Sequence, residues 1–408
     1  MFLPRLLLFL AGFAVTVCAG PVPPRPAAPA PHPLRNLFAD LLGKSEAELD
    51  AKIAAAWRHE FEGNEEQRIF YPVGVDLAYI ADVGSRDVRS EGMSYGMMLA
   101  VQLDKQDEFD RLWRWADRFM RHHDGPRRGY FAWQCRFDGT VIDPGSASDG
   151  EEWIVMALFF AAHRWGDGRG QLNYGAEAQA LLREMRHKAV AGGFVPIFDP
   201  REKQVVFAPN AAAGRFTDPS YHLPAFYELW ARWADDESDR RFWAEAAESS
   251  RAFFRRAAHP RTGLMPEYAH FDGTPFTDAA YGAGKGDFRY DARRTLANVA
   301  LDQAWWRADP WQVEQGNRVL RFLAAQETVV NQYSLEGRPL SAERSLGLAA
   351  MAAVAGQGAD LALARPFVQQ LWDAPPPSGQ WRYYDGLLYF LGLLQTGGRF
   401  HVFPPLKK

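Results

Sequence analysis

The sequence predicts an all-α protein, a toroid of six helical hairpins with an inner and an outer helix layer. Three observations carry this. Apolar residues recur at three- and four-residue intervals from Ser45 almost to the C-terminus, with few alternating runs. The helical segments they mark alternate in composition along the chain. After residue 35 there is no linker and no low-complexity break.

Residues 1–19 read as an export signal. Arg5 supplies the charge, Leu6–Val17 an apolar stretch too short to span a bilayer, and Val17-Cys18-Ala19 a small-residue cleavage site. Cys18 would permit a lipid anchor, but Val15-Thr16-Val17 ends in a poor residue for that processing. Residues 20–34 are Pro/Ala-rich and predict an extended, poorly packed leader. Residues 35–408 read as a single domain. Removal of the signal would leave Cys135 alone, so no internal disulfide is available and the core must supply stability. Twelve helices are expected near 45–61, 91–104, 107–123, 149–165, 174–190, 219–234, 238–257, 289–306, 309–326, 343–356, 361–372 and 383–396. Leu77–Val83 and Gln204–Ala208 are possible strands. The third helix (DEFDRLWRWADRFM) and the seventh have one apolar stripe and one charged face, and so lie between core and water. The second (EGMSYGMMLAVQL), fourth (WIVMALFFAAHRW) and tenth (RSLGLAAMAAVAG) are apolar nearly all round, so they are inner. Trp113 and Trp115 share an outer helix and cannot both face the core.

With neighbours antiparallel, every even-numbered helix starts at the same mouth. The segments that converge there are RSEGMSYG, GSASDGEEW, TDPSYHLPAF, GKGDFRYDARR, PLSAERS and WRYYDGLLY, in which acids and tyrosines crowd. Charge adds little: 46 basic and 50 acidic side chains give −4, with no basic run to recruit nucleic acid or an anionic membrane. Aromatic residues make up 14% of the chain, more than a core needs, and rings stack well on sugar faces.

Glu91, Asp149, Asp291 and Asp385 each stand at or near an inner-helix start. Singly, each reads best as a helix cap. Together, beside Trp133, Tyr221, Tyr290, Tyr383 and Tyr384, they describe a carboxylate-lined sugar groove, the equipment for glycosidic hydrolysis. Glu91 precedes an apolar helix, where burial raises a carboxyl pKa, and is the better acid; Asp149 nearby would help keep it protonated. Arg294, one turn after Asp291, favours that carboxylate as the base. Gly92-Met93-Ser94-Tyr95-Gly96 spells a nucleophile elbow, but the polar run Ser85–Ser90 stands where a strand is needed. Gly282–Gly286 lacks phosphate-loop spacing and reads as a flexible connection delivering Asp291. The ten His are scattered, and His122-His123 suit a helix C-terminus, so no metal and no cofactor are expected.

Ala147-Ser148-Asp149-Gly150-Glu151 with Trp153-Ile154 and Ala157 resembles the signature of glycoside hydrolase family 8. Ser90-Glu91-Gly92-Met93-Ser94-Tyr95-Gly96, Asp218-Pro219-Ser220-Tyr221 and Tyr290-Asp291-Ala292-x-Arg294 do as well, over about residues 60–396. The resemblance implies an (α/α)6 barrel that hydrolyses β-1,4 glycans with inversion. It implies Glu91 as general acid, Asp291 as general base, and Asp149 as the acid that orients substrate or tunes Glu91. Trp133, Tyr221, Arg294 and Tyr384 would line the sugar subsites. Asp287 rivals Asp291 but lacks its Tyr-Asp-Ala-x-Arg context. The chain is most similar to the branch acting on xylan and xylo-oligosaccharides, which includes enzymes that release xylose from the reducing end. Those carry a Leu-His-Pro kink where this chain reads Leu340-Ser341-Ala342-Glu343-Arg344-Ser345-Leu346, so an open, endo-acting cleft is an equal expectation. The expected protein is an exported, monomeric xylan or xylo-oligosaccharide hydrolase. Its rivals are a cellulose-acting endoglucanase and a non-catalytic glycan-binding protein on the same toroid.

Overall fold

A computed structural model describes residues 30–406. The export signal and most of the leader lie outside the described residues. Of the leader's described end, the His32 amide donates to the Trp305 carbonyl at 2.9 Å and Leu34 joins the core.

Six helices form an inner ring: α3 (Ser90–Gln102), α5 (Ser148–Trp165), α7 (Pro224–Trp233), α9 (Arg294–Trp306), α11 (Leu346–Ala355) and α13 (Arg382–Thr396). Neighbours pack on one another from α7 through α9, α11, α13 and α3 to α5. The ring closes between α5 and α7, where the Tyr227 hydroxyl donates to Glu152 at 2.5 Å and Trp153 meets Phe226 edge-on. These helices are buried nearly all round, α11 on every residue from Gly347 to Ala355, as their uniformly apolar sequences require.

Outside them lie α2 (Glu46–Glu62), α4 (Gln106–Trp115), α6 (Tyr174–His187), α8 (Glu237–Ala257), α10 (Trp311–Ala324) and α12 (Leu361–Asp373), with the short α1 (Leu37–Leu42) against α12. Each packs on an inner helix, and α2 pairs with α13, so the first and last long helices complete the ring. The outer helices are amphipathic; α4 buries Phe109, Leu112, Trp113 and Trp115, each contributing about 1.5–3 kcal/mol. One buried ion group staples three helices: Arg251 of α8 makes two 2.7 Å bonds to Asp302 of α9 and one of 2.9 Å to Glu228 of α7.

All twelve predicted helices are present, with revised starts. The predicted 219–234 helix is a 3-10 turn (Pro219–Tyr221) followed by α7, because Pro224 forces Leu223 out of helical geometry (φ −123°). The predicted 289–306 helix is likewise a 3-10 turn (Tyr290–Arg293) and then α9. α4 passes into a π turn that ends at Met120, short of His122, whose ring instead meets the Pro144 carbonyl at 2.9 Å; burial lowers its pKa.

A five-stranded antiparallel sheet lies beyond the helical prediction: β1 (Phe70–Val73), β2 (Leu77–Asp82), β3 (Asp87–Arg89), β4 (Gln134–Cys135) and β5 (Val141–Asp143), in that order. Only β2 was anticipated; Gln204–Ala208 makes only an isolated bridge, at Val205. The sheet corrects the expectation for α4. Trp113 faces inward and donates to the Gln171 carbonyl (2.7 Å), whereas Trp115 packs on Tyr79 of β2, so both are buried. β3 runs directly into α3, and the Ser90 amide bonds the Trp133 carbonyl just before β4 at 3.0 Å. The sheet therefore brings Arg89 and Trp133 to the start of α3.

Candidate active site

Hydrogen bonds join all six inner-helix starts at one mouth. Arg294, the first residue of α9, is the hub. Its Nη1 donates to Glu91 of α3 (2.9 Å), Tyr95 of α3 (2.6 Å) and Asp149 of α5 (2.9 Å), while Nε and Nη2 reach Ser220 before α7 (3.2 and 2.9 Å). Tyr383 of α13 donates to the other Glu91 oxygen at 3.1 Å. Asp385 of α13 accepts from the Ser345 hydroxyl (2.9 Å) and the Leu346 amide (3.0 Å), capping α11, and pairs with Arg293. Asp385, one of the four acids noted at helix starts, is thus a cross-helix cap.

Glu91 is the first-turn acid of α3, and Gly92 lets Tyr383 reach it: a Cβ at Gly92 would fall 2.6 Å from the Tyr383 ring. Burial pushes the Glu91 carboxyl up to about 8; the Arg294 charge opposes this, and Asp291 and Asp149 reinforce it. Asp149 is buried, and its pKa is also raised, chiefly by burial and against the pull of Arg294. Asp291 is more open, its side chain 28% exposed and 3.6 Å from Arg294 Nη2. Preceding it, Tyr290 takes a left-handed φ of 31°, a conformation that costs a non-glycine residue about 1–3 kcal/mol and here directs the Asp291 turn into the mouth.

The expected aromatic lining occupies the same region at different depths. Tyr290 is 49% exposed and Trp133 half-buried, with the Arg89 guanidinium 5.7 Å from the Trp133 ring. Tyr384 is half-buried, and its hydroxyl has no hydrogen-bond partner. Tyr221 and Tyr383 are buried; Arg294 lies 5.5 Å from the Tyr221 ring. Arg294, expected to line a subsite, is itself buried, and its donors serve Glu91, Asp149, Tyr95 and Ser220 more closely than Asp291. It is a clamp beneath the acids. Asp287 pairs with Arg289, and its carbonyl accepts from the Glu267 amide.

Several residues escaped sequence reasoning. Tyr95, Asp218 and Ser220 all stand in the convergent segments, but polar side chains in such segments carry no signal of partner. Asp218 is fully buried; one oxygen accepts from the Ser220 amide at 2.7 Å, the other has no partner, and burial with the nearby Asp291 charge raises its pKa well above the usual range. Ser94 does follow a strand, contrary to expectation, yet it is no exposed nucleophile: it is buried in α3 and donates to the Glu91 carbonyl at 2.7 Å. The Gly282–Gly286 connection is tethered, since Lys285 pairs with Glu267 and its carbonyl accepts from the Tyr268 amide. Among the described residues no group of three or more His, Cys, Asp or Glu is placed to hold a metal ion.

The arrangement could perform acid–base chemistry on a bond bound at the mouth: a buried carboxyl whose pKa burial raises, a more exposed acid on the same guanidinium, and half-buried rings beside them. The model of "Glycosyl hydrolases family 8" matches residues 80–398. The reducing-end xylose-releasing exo-oligoxylanase Rex8A of Paenibacillus barcinonensis is 47% identical over 374 residues, covering 90% of this chain and 96% of the relative. The reducing end xylose-releasing exo-oligoxylanase of Halalkalibacterium halodurans is 43% identical, covering 91% and 95%. The crystal structure of a family 8 enzyme from Teredinibacter turnerae with xylobiose superposes with a TM-score of 0.88 at 44% identity, covering 91% of this chain and 98% of that one. The toroid is therefore an (α/α)6 barrel, and the chain belongs to glycoside hydrolase family 8.

Proposed function

We propose that this glycoside hydrolase cleaves β-1,4 bonds of xylan or xylo-oligosaccharides with inversion at the anomeric carbon. Glu91 is the general acid and Asp291 the general base. The observation that carries the assignment is the shared guanidinium. Glu91 and Asp291 each place an oxygen on Arg294, at 2.9 and 3.6 Å. The carboxylates are therefore at most about 9 Å apart, compatible with the about 6.5–9.5 Å that leaves room for a water beneath the sugar ring.

In the proposed reaction Glu91 gives its proton to the glycosidic oxygen as the bond to the anomeric carbon breaks. Asp291 takes a proton from a water that attacks that carbon from the opposite face. The products are a sugar with a new hydroxyl of inverted configuration and a free leaving-group alcohol, and the two carboxyls have exchanged protonation states. Burial supports the acid role by keeping Glu91 protonated at neutral pH, and Asp149 adds a negative charge beside it. Similarity to xylose-releasing and xylobiose-binding relatives supports xylan-type chains as substrate.

An endo-acting mode is the second reading. The stretch from Leu340 to Leu346 at the start of α11 carries neither His nor Pro and is tied back to Asn331: the Asn331 amide bonds the Glu343 carbonyl at 2.8 Å, and Ser341 donates to the Asn331 side chain at 2.6 Å. The test is product analysis from xylohexaose and cellohexaose. Xylose with xylopentaose as first products supports reducing-end action, and mixed xylobiose to xylotetraose supports endo action. Cleavage of cellohexaose alone would overturn the xylan assignment. Near-normal turnover by Glu91→Gln or Asp291→Asn would remove that residue from its role.

A further inference from the structure

Trp381 immediately precedes α13, at the same mouth, and the residue is 72% exposed, against 49% for Tyr290. Leaving an indole in water forgoes about 1.5–3 kcal/mol of burial. The ring is nevertheless held. A Cβ at Gly84, in the turn between β2 and β3, would fall 2.7 Å from two atoms of its six-membered ring. Gly84 does not have a left-handed backbone, so the glycine serves this close approach.

The turn under the ring is continuous with the acid. The Gly84 amide donates to Asp82 at 3.1 Å, and Asp82 pairs with Arg89 at 3.0 Å. The Arg89 guanidinium lies 5.7 Å from the Trp133 ring and 6.0 Å from that of Tyr383, whose hydroxyl is on Glu91. Outward from Glu91 the contacts thus run through Tyr383, Arg89 and Asp82 to an apolar plane seated on Gly84 and open to water, with Trp133 on the flank of Arg89. β-1,4-Linked xylose presents flat faces of polarised C–H groups without a hydroxymethyl arm, and such C–H groups are attracted to the negative face of an indole.

We propose that Trp381 is a distal sugar-binding platform, stacking on a xylose unit of the substrate remote from the bond at Glu91, so that it favours longer chains. This rests on the xylo-oligosaccharide reading above. Two variants test it: Trp381→Ala removes the ring, and Gly84→Ala displaces it while leaving the indole in the protein. The readout is the ratio of kcat/KM on xylohexaose to that on xylotriose. A stacking contact predicts a fall in this ratio of about 2- to 10-fold in both variants, with Trp381→Phe between wild type and Trp381→Ala. An unchanged ratio in both, or equal loss on the two substrates, overturns the platform. A wild-type enzyme inactive on every xylo-oligosaccharide would instead refute the proposed function.

Discussion

Replacing Asp149 with Asn removes one negative charge from the acid cluster while keeping its shape. Asp149 and Glu91 each set an oxygen 2.9 Å from the same Arg294 nitrogen. Those oxygens are thus within about 6 Å of each other, and at an effective dielectric constant near 20 two unit charges at that distance interact by about 3 kcal/mol. Each pKa unit is 1.36 kcal/mol, so loss of the Asp149 charge should lower the Glu91 carboxyl from about 8 by about 2 units. Arg294 acts in the same direction, because its charge is no longer shared with Asp149. The acid must be protonated, so activity falls as pH rises through its pKa. The alkaline limb of kcat/KM against pH, which reports the whole coupled cluster, should sit near pH 8 in wild type and move down in Asp149→Asn. An alkaline limb that stays in place or moves up would refute the reasoning, whatever happens to the plateau rate.

Two predictions concern stability. Glu60 is 1% exposed, neither oxygen has a hydrogen-bond partner, and burial raises its pKa well above the usual 4.5. Its folded pKa exceeds its unfolded one, so stability is greatest below about pH 4.5 and falls by up to about 1.4 kcal/mol per unit above it, until the folded carboxyl ionises. In Glu60→Gln that slope should disappear, making its Tm advantage over wild type larger at pH 8 than at pH 5; parallel Tm curves would contradict this. Asp385→Ala should lower the unfolding free energy by about 3–5 kcal/mol in urea titration, since it takes the acceptor from the Leu346 amide at the start of α11, leaving only the Ser345 cap, and leaves the buried Arg293 without its carboxylate. A loss below about 1 kcal/mol would show that the cross-helix cap carries no weight.

Periodicity is what made the barrel legible. Helices such as α11, with nothing but small and apolar residues, can only be buried, and helices such as α4 or α8, with one charged face, can only be half-buried; their alternation is the architecture. The same reasoning brought Glu91, Asp149, Asp291 and Tyr383 to one mouth, because helix starts are set by direction alone. The β-sheet was hidden because β3 to β5 are two or three residues long, and Asp87-Val88-Arg89 lies in a polar run that shows no alternation. The breaks before α7 and α9 depend on Pro224 and on the left-handed Tyr290, local events that an apolar count smooths over. Arg294 was read through its nearest sequence neighbour, Asp291. Its closer partners, Glu91 and Asp149, are 203 and 145 positions away, and only the closed ring reveals them.

In the proposed reaction Glu91 and Asp291 act on one bond from opposite sides, with a water between Asp291 and the anomeric carbon. Proton NMR of the first sugars released from xylohexaose tests it directly, before mutarotation erases the configuration. With inversion, the new reducing end appears as the α-anomer and β accumulates only afterwards. A β-anomer formed first would mean retention, and would contradict a water-mediated role for Asp291.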